Sequence, residues 1–593
     1  MPTILHRLAK WAEAQPQSAA QKYKDNGVWK TITAKEFNDR VYYLALFLES
    51  RGFSKSETGC ILSGNTYSWI QTDLAVTLIG AKSAGLYPNS TAKEIQYILE
   101  HTEATVLSVQ NKDYYAKVAS SIPKRLKLIL SFDGDTSFSP LAVSFADALE
   151  EGRKLAAKKG VKSHKSYLDQ VDPDAPAFMI YTSGTTGTPK GALLSQDNLA
   201  FTCDKIIDYW KLPMGRGTLF SFLPLCHIAE QLQSIGVSIT QRYTVSFASK
   251  FDNVSKELPE VEPTLLLSVP RLWEKMMEGV LTKIDTSSPV MKRLATWALE
   301  TGRRVAEARY AGKTPSPLDL IQNRIADRLV LQKVRKAMGL GKAQMLASGA
   351  AALPAHVSKW FRVLGLEILE DYGQTESTGV VCMTEPKVEM AGTVGRPVPG
   401  LEVKVAEDGE ICTRGRHIFK GYFKDEAATA ATFDSEGWLH TGDLGVLTEE
   451  GLIRIRGRKK EIMKTSGGKM TAPVPIEEKL KVAPIISQVC MVGDGRKYFS
   501  ALITLSEAAL AGLKESSING AIVKAPEVVA EVKKQVDQVN GELAGYEQIK
   551  RFTVLAKEFS VEQGEMTPTL KMKRAVIESN YRSVIDSMYT AGE

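Results

Sequence analysis

The stretch 181–195 combines the residue types that hold a polyphosphate. Between Thr182 and Gly191 it has three glycines, four threonines, one serine and one lysine. Glycines let backbone amides approach a ligand closely, hydroxyls add donors, and Lys190 adds a positive charge. An apolar run at 175–181 precedes the loop and predicts a buried strand. A flexible Ser/Thr/Gly linker would explain neither this strand nor the single lysine.

The loop differs from a P-loop of the GxxxxGK[ST] type. Counting from Gly184, Pro189 stands where that motif has its second glycine. Gly191 stands where the motif has its Mg²⁺-binding serine or threonine. The sequence therefore predicts a phosphate-binding loop of another kind.

Two further stretches carry residues suited to a nucleotide. The motif Glu-Asp-Tyr-Gly-Gln-Thr-Glu at 370–376 follows the apolar run 366–369, which predicts a strand. Open α/β sheets bind ligands at the carboxyl ends of their strands. Asp443 lies in a turn bracketed by glycines, where a carboxylate can accept hydrogen bonds from a ligand.

Three other features stay ambiguous on residue type alone. His227 lies in apolar sequence, where a lone histidine is usually a satisfied core residue. The segment 457–468 is basic, ends in two glycines and separates two compact regions. Lys571 and Lys573 lie near the C-terminus, where a lysine is most often simply solvated.

The elements that must position these residues alternate along the chain. Residues 1–170 alternate helical and strand patterns, which is typical of an open α/β fold. Residues 281–343 form an insert in this α/β pattern. They have apolar residues at helical spacing, and Pro315 and Pro317 divide the stretch into two helices. A solvated helical hairpin is the simple interpretation of this insert. Contact of a basic face with an anionic membrane is the alternative. The basic residues are Lys283, Lys292, Arg293, Arg303, Arg304, Arg309, Lys313, Arg324, Arg328, Lys333, Arg335, Lys336 and Lys342.

Composition limits the class of protein. A chain of 593 residues is too long for one core and predicts several domains. A net charge of +7 suits anionic ligands and gives no support for a nucleic-acid-binding protein. The six cysteines are widely spaced without a CxxC pair, which is typical of reduced thiols in a cytoplasmic protein.

The sequence has no targeting or membrane-spanning pattern. The N-terminus lacks the apolar core of a secretory signal. Leu5, Leu8 and Trp11 have helical spacing and predict a first helix packed on the domain, with a surface-lipid anchor as the alternative. The longest apolar region, 74–87, is broken by Lys82 and is too short to cross a bilayer.

Taken in order, these motifs resemble the adenylate-forming superfamily of acyl-CoA synthetases, luciferases and peptide-synthetase adenylation domains. The loop 181–190 carries its signature, and patterns of the type LPLxHxxE and GEIxxRGxxxxxGY follow at 223–230 and 409–422. The resemblance spans about residues 5–590. It implies a large multi-subdomain α/β N-terminal domain and a small mobile α+β C-terminal domain. The predicted boundaries are 1–456, with the insert at about 281–343, and 457–593.

The resemblance also implies an ATP site. Tyr372 would stack on adenine, which lies against the small-residue turn 348–352, and Thr375 would contact the α-phosphate. Glu376 and Thr182 would hold Mg²⁺, and Asp443 and Arg458 would bind the ribose. The implied ATP-binding residues are Thr182, Ser183, Gly184, Thr185, Thr186, Gly187, Lys190, Gly349, Ala350, Ala351, Asp371, Tyr372, Gly373, Gln374, Thr375, Asp443 and Arg458.

The remaining implied sites concern catalysis and the second substrate. Against the family's GKxxR ending, Lys571 takes the catalytic position, which spans the attacking carboxylate and the α-phosphate. His227 would lie beside that carboxylate. Lys460 matches the hinge, and Ser466 and Gly467 match the CoA tunnel. The implied catalytic residues are Lys571, His227, Thr375 and Glu376.

We therefore expect an ATP-dependent long- or medium-chain fatty acid–CoA ligase. The insert and the Pro-Val-Pro-Ile-Glu text at 473–477 favour long chains. Three alternatives stay open. An acyl-AMP ligase serving a carrier protein is favoured by Lys469 and Met470, which depart from the residues usual after the paired glycines. The others are a ligase for an aryl or terpenoid acid, and a nucleotide-binding regulator without catalysis. The patterns specify neither acyl chain length nor oligomeric state.

Overall fold

The structure, a computed structural model, describes residues 2–182, 188–387, 390, 392–513, 517–567 and 570–590. Five residues of the predicted phosphate loop lie outside this range. They are Ser183, Gly184, Thr185, Thr186 and Gly187.

The largest sheet has seven strands and carries the phosphate loop at one edge. All neighbours are parallel except the last two strands, which form a hairpin. The apolar run before the loop forms a buried strand, as predicted. In sheet order the strands are Ala142–Ser144, Leu128–Ser131, Val106–Val109, Thr58–Leu62, Lys82–Leu86, Pro176–Thr182 and Lys190–Ser195.

A second sheet of five strands carries Tyr372 at the end of its third strand. Its first three strands are parallel and the last two antiparallel. The strand predicted at 366–369 begins later and extends further, so that Tyr372 is its last residue. The strands are Leu265–Ser268, Met345–Ser348, Ile368–Tyr372, Cys382–Met383 and Arg396–Pro397.

Two four-stranded sheets complete the large region. One combines Thr218–Ser221, Thr244–Phe247, Ala19–Asp25 and Val28–Thr33. The other is antiparallel and contains Glu402–Val405, Glu410–Arg414, Leu439–Leu447 and Ile453–Arg458.

The C-terminal region, residues 463–590, has its own sheets and its own apolar core. A short hairpin pairs Met463–Lys464 with Met470–Thr471. The five-stranded sheet has the order Ile486–Val492, Phe499–Leu505, Ile549–Leu555, Ile522–Val523 and Ile518–Asn519. Its helices are Pro473–Leu480, Glu507–Ala511, Pro526–Asn540, Arg574–Asn580 and Arg582–Thr590. The predicted class, a large α/β part with a small α+β part, is confirmed.

Helices cover the sheets of the large region. The first helix buries Leu5, Leu8 and Trp11, so the packed-helix prediction is confirmed and these side chains are not available to a lipid surface. The α-helices are Ile4–Ala14, Ala34–Ser50, Tyr67–Leu78, Ala92–His101, Lys112–Ala116, Phe145–Ala156, His164–Leu168, Gln196–Trp210, Ile228–Gln231, Ser238–Gln241, Val254–Val261, Pro270–Asp285, Pro289–Tyr310, Pro317–Ala326, Gln332–Ala337, Ala355–Val363 and Glu426–Ala430.

The insert forms an antiparallel pair of helices, Pro289–Tyr310 and Pro317–Ala326. The predicted division at the prolines is confirmed, and Pro317 is the first residue of its helix, where its missing N–H leaves no hydrogen bond unmade. The second helix continues through a π-helical segment, Asp327–Leu331, into Gln332–Ala337. In the part of the chain that the structure describes, no helix combines the length and the apolar character needed to cross a bilayer.

Candidate active site

A cleft of about 670 Å³ opens between the large region and the C-terminal region. Strand ends from two sheets of the large region form one wall, and the loop before Arg574–Asn580 forms the other. Eight residues of the predicted sites line it. They are Ala350, Ala351, Asp371, Tyr372, Gly373, Asp443, Arg458 and Lys571.

Three of these side chains form one hydrogen-bonded cluster. The Tyr372 hydroxyl donates to Asp443 Oδ2 at 2.8 Å, and Arg458 Nε donates to Asp443 Oδ1 at 2.9 Å. Asp443 and Arg458 are direct partners in an antiparallel strand pair, so the sheet register itself brings them together. Asp443 is buried, and the guanidinium partly compensates its charge. Such a carboxylate can accept hydrogen bonds from vicinal hydroxyls.

Two glycines of the predicted ATP site, Gly349 and Gly373, leave no room for a side chain. A Cβ on Gly349 would lie 2.6 Å from an Asp371 carboxylate oxygen, and one on Gly373 would lie 2.4 Å from the Gly379 carbonyl oxygen. Burial and the neighbouring Glu370 raise the pKa of Asp371 to about 7. Its buried Oδ1 has no hydrogen-bond partner among the described residues, so it is available to a polar group of a ligand.

A second cavity, of about 1070 Å³, adjoins the cleft and shares Arg458 with it. It is lined by Thr182, Lys190, Gln374, Glu376 and Lys460, all of them predicted site residues. Thr182 and Lys190 are paired in register across the phosphate-loop hairpin. Thr375 is buried in the short turn between Gln374 and Glu376.

Tyr422 connects the carboxylate and the lysine of this cavity, and sequence reasoning missed it. Its hydroxyl donates to Glu376 Oε1 at 2.6 Å, and Lys190 Nζ lies 5.1 Å from the centre of its ring. Lys190 also lies 3.7 Å from Asp425. The GEIxxRGxxxxxGY pattern contains Tyr422, but the sequence alone assigned this tyrosine no role.

The donors near this cavity fit Mg²⁺. Glu376 offers one carboxylate and Thr182 one hydroxyl on the same cavity. Mg²⁺ typically takes one or two carboxylates and completes its octahedron with phosphate oxygens and water. The described residues contain no cluster of three or more His, Cys, Asp and Glu that could hold a metal by itself.

His227 lies at the start of the helix Ile228–Gln231, where its Nδ1 accepts from the Ala229 amide at 3.3 Å. It lines neither cavity. Burial, with a smaller contribution from the Lys571 ammonium, lowers the pKa of His227 to about 4. The imidazole is therefore neutral at pH 7 and shares an electrostatic environment with Lys571.

Asn65 holds the loop that leads to His227, and sequence reasoning missed this too. Its Nδ2 donates to the Leu223 carbonyl at 2.6 Å, and its Oδ1 accepts from the Leu225 amide at 3.2 Å. The same Nδ2 donates to Ser221 Oγ at 2.9 Å, and that hydroxyl donates to buried Glu230 at 2.6 Å. No sequence pattern links position 65 to a loop more than 150 residues away.

Of the two C-terminal lysines, only Lys571 lines the cleft in the described residues. Its side chain still reaches the water in the cleft. Desolvation by the surrounding protein, together with repulsion from the Arg458 guanidinium, lowers the pKa of Lys571 to about 8. The nearby carboxylates of Asp443, Glu461 and Glu376 partly oppose this shift.

Glu477 anchors the segment that carries Lys571. This buried carboxylate accepts from Arg574 at 2.7 and 3.1 Å, and Arg574 also donates to the Met491 carbonyl at 2.5 Å. Glu477 is the last residue of the Pro-Val-Pro-Ile-Glu text, which sequence analysis took only as a sign of chain-length class. Glu477 therefore supports the segment just before Arg574 that carries Lys571, which we call the lysine loop.

Ser466 and Gly467, the predicted CoA-binding residues, lie away from the cleft. Both are exposed in the turn of the hairpin Met463–Thr471, and neither lines the two cavities. The Ser466 amide donates to the Arg496 carbonyl at 2.8 Å. In this structure the lysine loop and this hairpin thus do not meet at one site.

Polar contacts hold the two regions in this arrangement. Arg271 of the large region donates to Ser487 Oγ at 2.7 Å and to Glu558 Oε1 at 2.8 Å. Lys481 of the C-terminal region lies 3.2 Å from Glu274. These groups line or adjoin the same cleft.

Fold and site together define an AMP-binding enzyme. Residues 8–423 match the AMP-binding enzyme family, and residues 460–593 match the family described as the AMP-binding enzyme C-terminal domain. The chain therefore belongs to the AMP-binding enzyme family.

Curated relatives align over nearly the whole chain. It is 34% identical to the long-chain-fatty-acid–CoA ligase FadD15 of Mycobacterium tuberculosis, over 95% of this chain and 93% of that protein. It is 31% identical to the long-chain-fatty-acid–CoA ligase ACSBG2 of Mus musculus, over 99% of this chain and 92% of that protein.

Solved structures show the same fold. The A-PCP didomain of carboxylic acid reductase from Segniliparus rugosus, in complex with AMP, superposes with a TM-score of 0.76 at 19% identity, over 99% of this chain and 82% of that one. ATP-bound MatB from Rhodopseudomonas palustris superposes with a TM-score of 0.72 at 21% identity, over 98% and 99%.

Proposed function

We propose that this enzyme is an ATP-dependent long-chain fatty acid–CoA ligase that releases pyrophosphate and AMP. The observation that carries the proposal is one cleft that joins Lys571 to the Tyr372–Asp443–Arg458 cluster. A lysine there faces a carboxylate suited to a ribose. The two relatives named as long-chain-fatty-acid–CoA ligases support the choice of acid and acceptor.

In the first half-reaction, a carboxylate oxygen of the fatty acid attacks the α-phosphorus of ATP. A phosphorus–oxygen bond forms to the acid, and the bond to pyrophosphate breaks, with its electron pair leaving on pyrophosphate. Both reactants are anionic, so Lys571, which is cationic below its pKa of about 8, offsets their repulsion and stabilises the transition state. Neutral His227 orients the acid without adding charge.

The nucleotide is held by the large region. Tyr372 stacks on adenine against Gly349, Ala350 and Ala351, and Asp443 accepts from the ribose hydroxyls. Thr375 contacts the α-phosphate. The outer phosphates lie at the 182–190 loop, where Lys190 supplies positive charge.

Magnesium accompanies the phosphates. Glu376 and Thr182 would hold the ion, which supplies charge neutralisation on phosphate oxygens when bound. Tyr422 positions the Glu376 carboxylate through its 2.6 Å hydrogen bond.

In the second half-reaction, the C-terminal domain rotates about Lys460. This motion withdraws Lys571 and brings Ser466 and Gly467 to the acyl-adenylate. The CoA sulfur bonds to the acyl carbon, the carbon–oxygen bond to AMP breaks, and the thiol proton passes to solvent. Ser466 and Gly467 lie outside the cleft in the present arrangement. CoA bound at this hairpin could reach an acyl-adenylate in the cleft only after the two regions move relative to each other, which supports the proposed rotation.

The test measures pyrophosphate release with a series of fatty acids of increasing chain length. Each acid is assayed with and without CoA, and the products are identified. The expected result is release that peaks at a long chain length and yields acyl-CoA and AMP. Release that is robust but unaffected by CoA, with acyl-AMP as the end product, would replace this function with that of an acyl-AMP ligase. No release with any fatty acid would overturn the proposal.

A further inference from the structure

The positive charge of this protein is concentrated in the helical insert. Residues 281–343 contain thirteen Lys and Arg against five Asp and Glu, a local net charge of +8. The whole chain carries only +7, so everything outside the insert is close to neutral. A general attraction to anionic nucleotides would not require this localisation, since the insert contributes none of the phosphate-site residues.

Exposed apolar side chains are concentrated in the same place. Within the described residues, seventeen large hydrophobic side chains are exposed, and nine of them lie between positions 281 and 329. Scattered single exposures are normal, but a cluster of this kind marks an interaction surface. The nine are Leu281, Val290, Met291, Trp297, Leu318, Leu320, Ile321, Ile325 and Leu329.

Four of these residues form one stripe along the second insert helix. Leu318, Ile321, Ile325 and Leu329 follow each other at intervals of three, four and four residues. They are 63%, 59%, 49% and 45% exposed. An adjacent side of the helix packs into the core through buried Ala326 and Val330. The helix therefore has two apolar faces, and only one is used for folding.

Unpaired cations border this stripe. Arg324 and Arg328 are exposed and each directly precedes a stripe residue. Neither forms an ion pair with any described residue, and the same holds for exposed Lys333. By contrast, Arg303 on the neighbouring helix is neutralised by Glu300 and Glu307 at 2.6 Å each. Three of the insert's exposed cations that form no ion pair with a described residue thus border the apolar stripe, while others, such as Arg293 and Lys313, lie elsewhere on the insert.

We propose that this surface, the 318–329 stripe with its bordering cations, docks the enzyme on an anionic lipid bilayer. The apolar side chains enter the boundary between headgroups and acyl chains, and the cations pair with lipid phosphates. A second copy of the chain is a poor occupant, because it would bring a second charge of +8 against the first. The bilayer satisfies both the apolar and the cationic parts of the surface.

The test is vesicle co-sedimentation of the full-length protein. Vesicles of phosphatidylcholine alone are compared with vesicles containing roughly 30% phosphatidylglycerol. We expect sedimentation with the anionic vesicles, weakened by salt. The double variant Ile321→Gln/Ile325→Gln should partition at least tenfold more weakly. Arg324→Gln/Arg328→Gln should lose on the order of tenfold or more, at about fivefold per cation.

Matched controls keep the test specific. Met214→Gln/Leu447→Gln changes two exposed apolar residues elsewhere, and Glu300→Gln/Arg303→Gln removes an ion pair of the insert without changing its net charge. Both should partition like wild type, and without vesicles all variants should retain wild-type pyrophosphate release with the preferred fatty acid. Stripe variants that bind as well as wild type would overturn the proposal. It would also be overturned if wild type is a dimer that the stripe variants dissociate, since a second copy would then occupy the surface.

Discussion

The lysine loop around Lys571 and the hairpin carrying Ser466 and Gly467 belong to the same C-terminal region, yet they differ in position and in anchoring. The loop faces the cleft, is anchored by Glu477 through Arg574, and has an ammonium whose pKa is lowered to about 8. Ser466 and Gly467 of the hairpin are exposed, and the Ser466 amide donates to the Arg496 carbonyl of the same region. One rigid body cannot present both segments to one ligand, so the two are expected to serve different half-reactions.

The largest expected effect comes from removing the cation of the lysine loop. Lys571→Ala should reduce pyrophosphate release by about 10²–10³-fold, because the repulsion between carboxylate and α-phosphate is no longer offset. Supplied acyl-adenylate should still react with CoA at close to the wild-type rate. Lys573→Ala, two residues away, is the matched control and should adenylate normally. An equal loss of rate in both half-reactions would contradict the assignment of Lys571 to adenylation alone.

The hairpin should show the reverse pattern. In Gly467→Val the added Cβ meets nothing closer than the Thr465 hydroxyl at 3.9 Å, so folding in the present arrangement is unaffected. Pyrophosphate release in a single turnover should therefore persist. Conversion of supplied acyl-adenylate and CoA to acyl-CoA should fall by roughly 10–10²-fold, because the side chain obstructs the thiol. A variant that thioesterifies normally would remove this hairpin from the CoA site.

Alkaline pH should affect one half-reaction only. Lys571 acts as a cation and its pKa is lowered to about 8, so the active form is lost as the pH rises through 8. At pH 9, kcat/KM for adenylation should be down by about tenfold. Thioester formation from supplied acyl-adenylate should not show this alkaline decrease in rate, and neither should the residual adenylation of Lys571→Ala. A decrease that survives in that variant would belong to another group.

The smallest effect concerns the contacts between the two regions. Glu558→Gln removes the charge that Arg271 meets at 2.8 Å and should weaken the present arrangement. We expect adenylation to fall by about three- to fivefold relative to thioester formation, in keeping with a partly exposed ion pair. Exposed Glu562, which forms no ion pair with a described residue, provides the control variant Glu562→Gln. An unchanged ratio of the two rates would show that this contact does not set the balance.

Much of the fold and site could be predicted because the informative residues are close together in sequence. The strand before the phosphate loop, the packed first helix and the proline-divided insert each follow from local periodicity. Tyr372 was expected after a strand, but it is the last residue of one, because pairing with Cys382 continues the ladder.

The residues that were missed act over long sequence distances. Asn65 supports the loop before His227 from more than 150 positions away, and Tyr422 reaches Glu376 across 46 positions. Glu477 holds Arg574 across 97 positions. A polar side chain shows no local pattern when its partner comes from another sheet, so such roles require coordinates.

The sequence by itself determined the class of chemistry. Glycines, hydroxyls and one lysine in fixed order predict a phosphate loop, and the family resemblance implies a ribose contact for Asp443. Tertiary structure decided which groups share a space: it brings Lys571, rather than Lys573, to the cleft and separates it from Gly467. It also decided that one face of the insert stays exposed. Periodicity specifies that a helix has an apolar face, whereas packing alone specifies whether that face is covered.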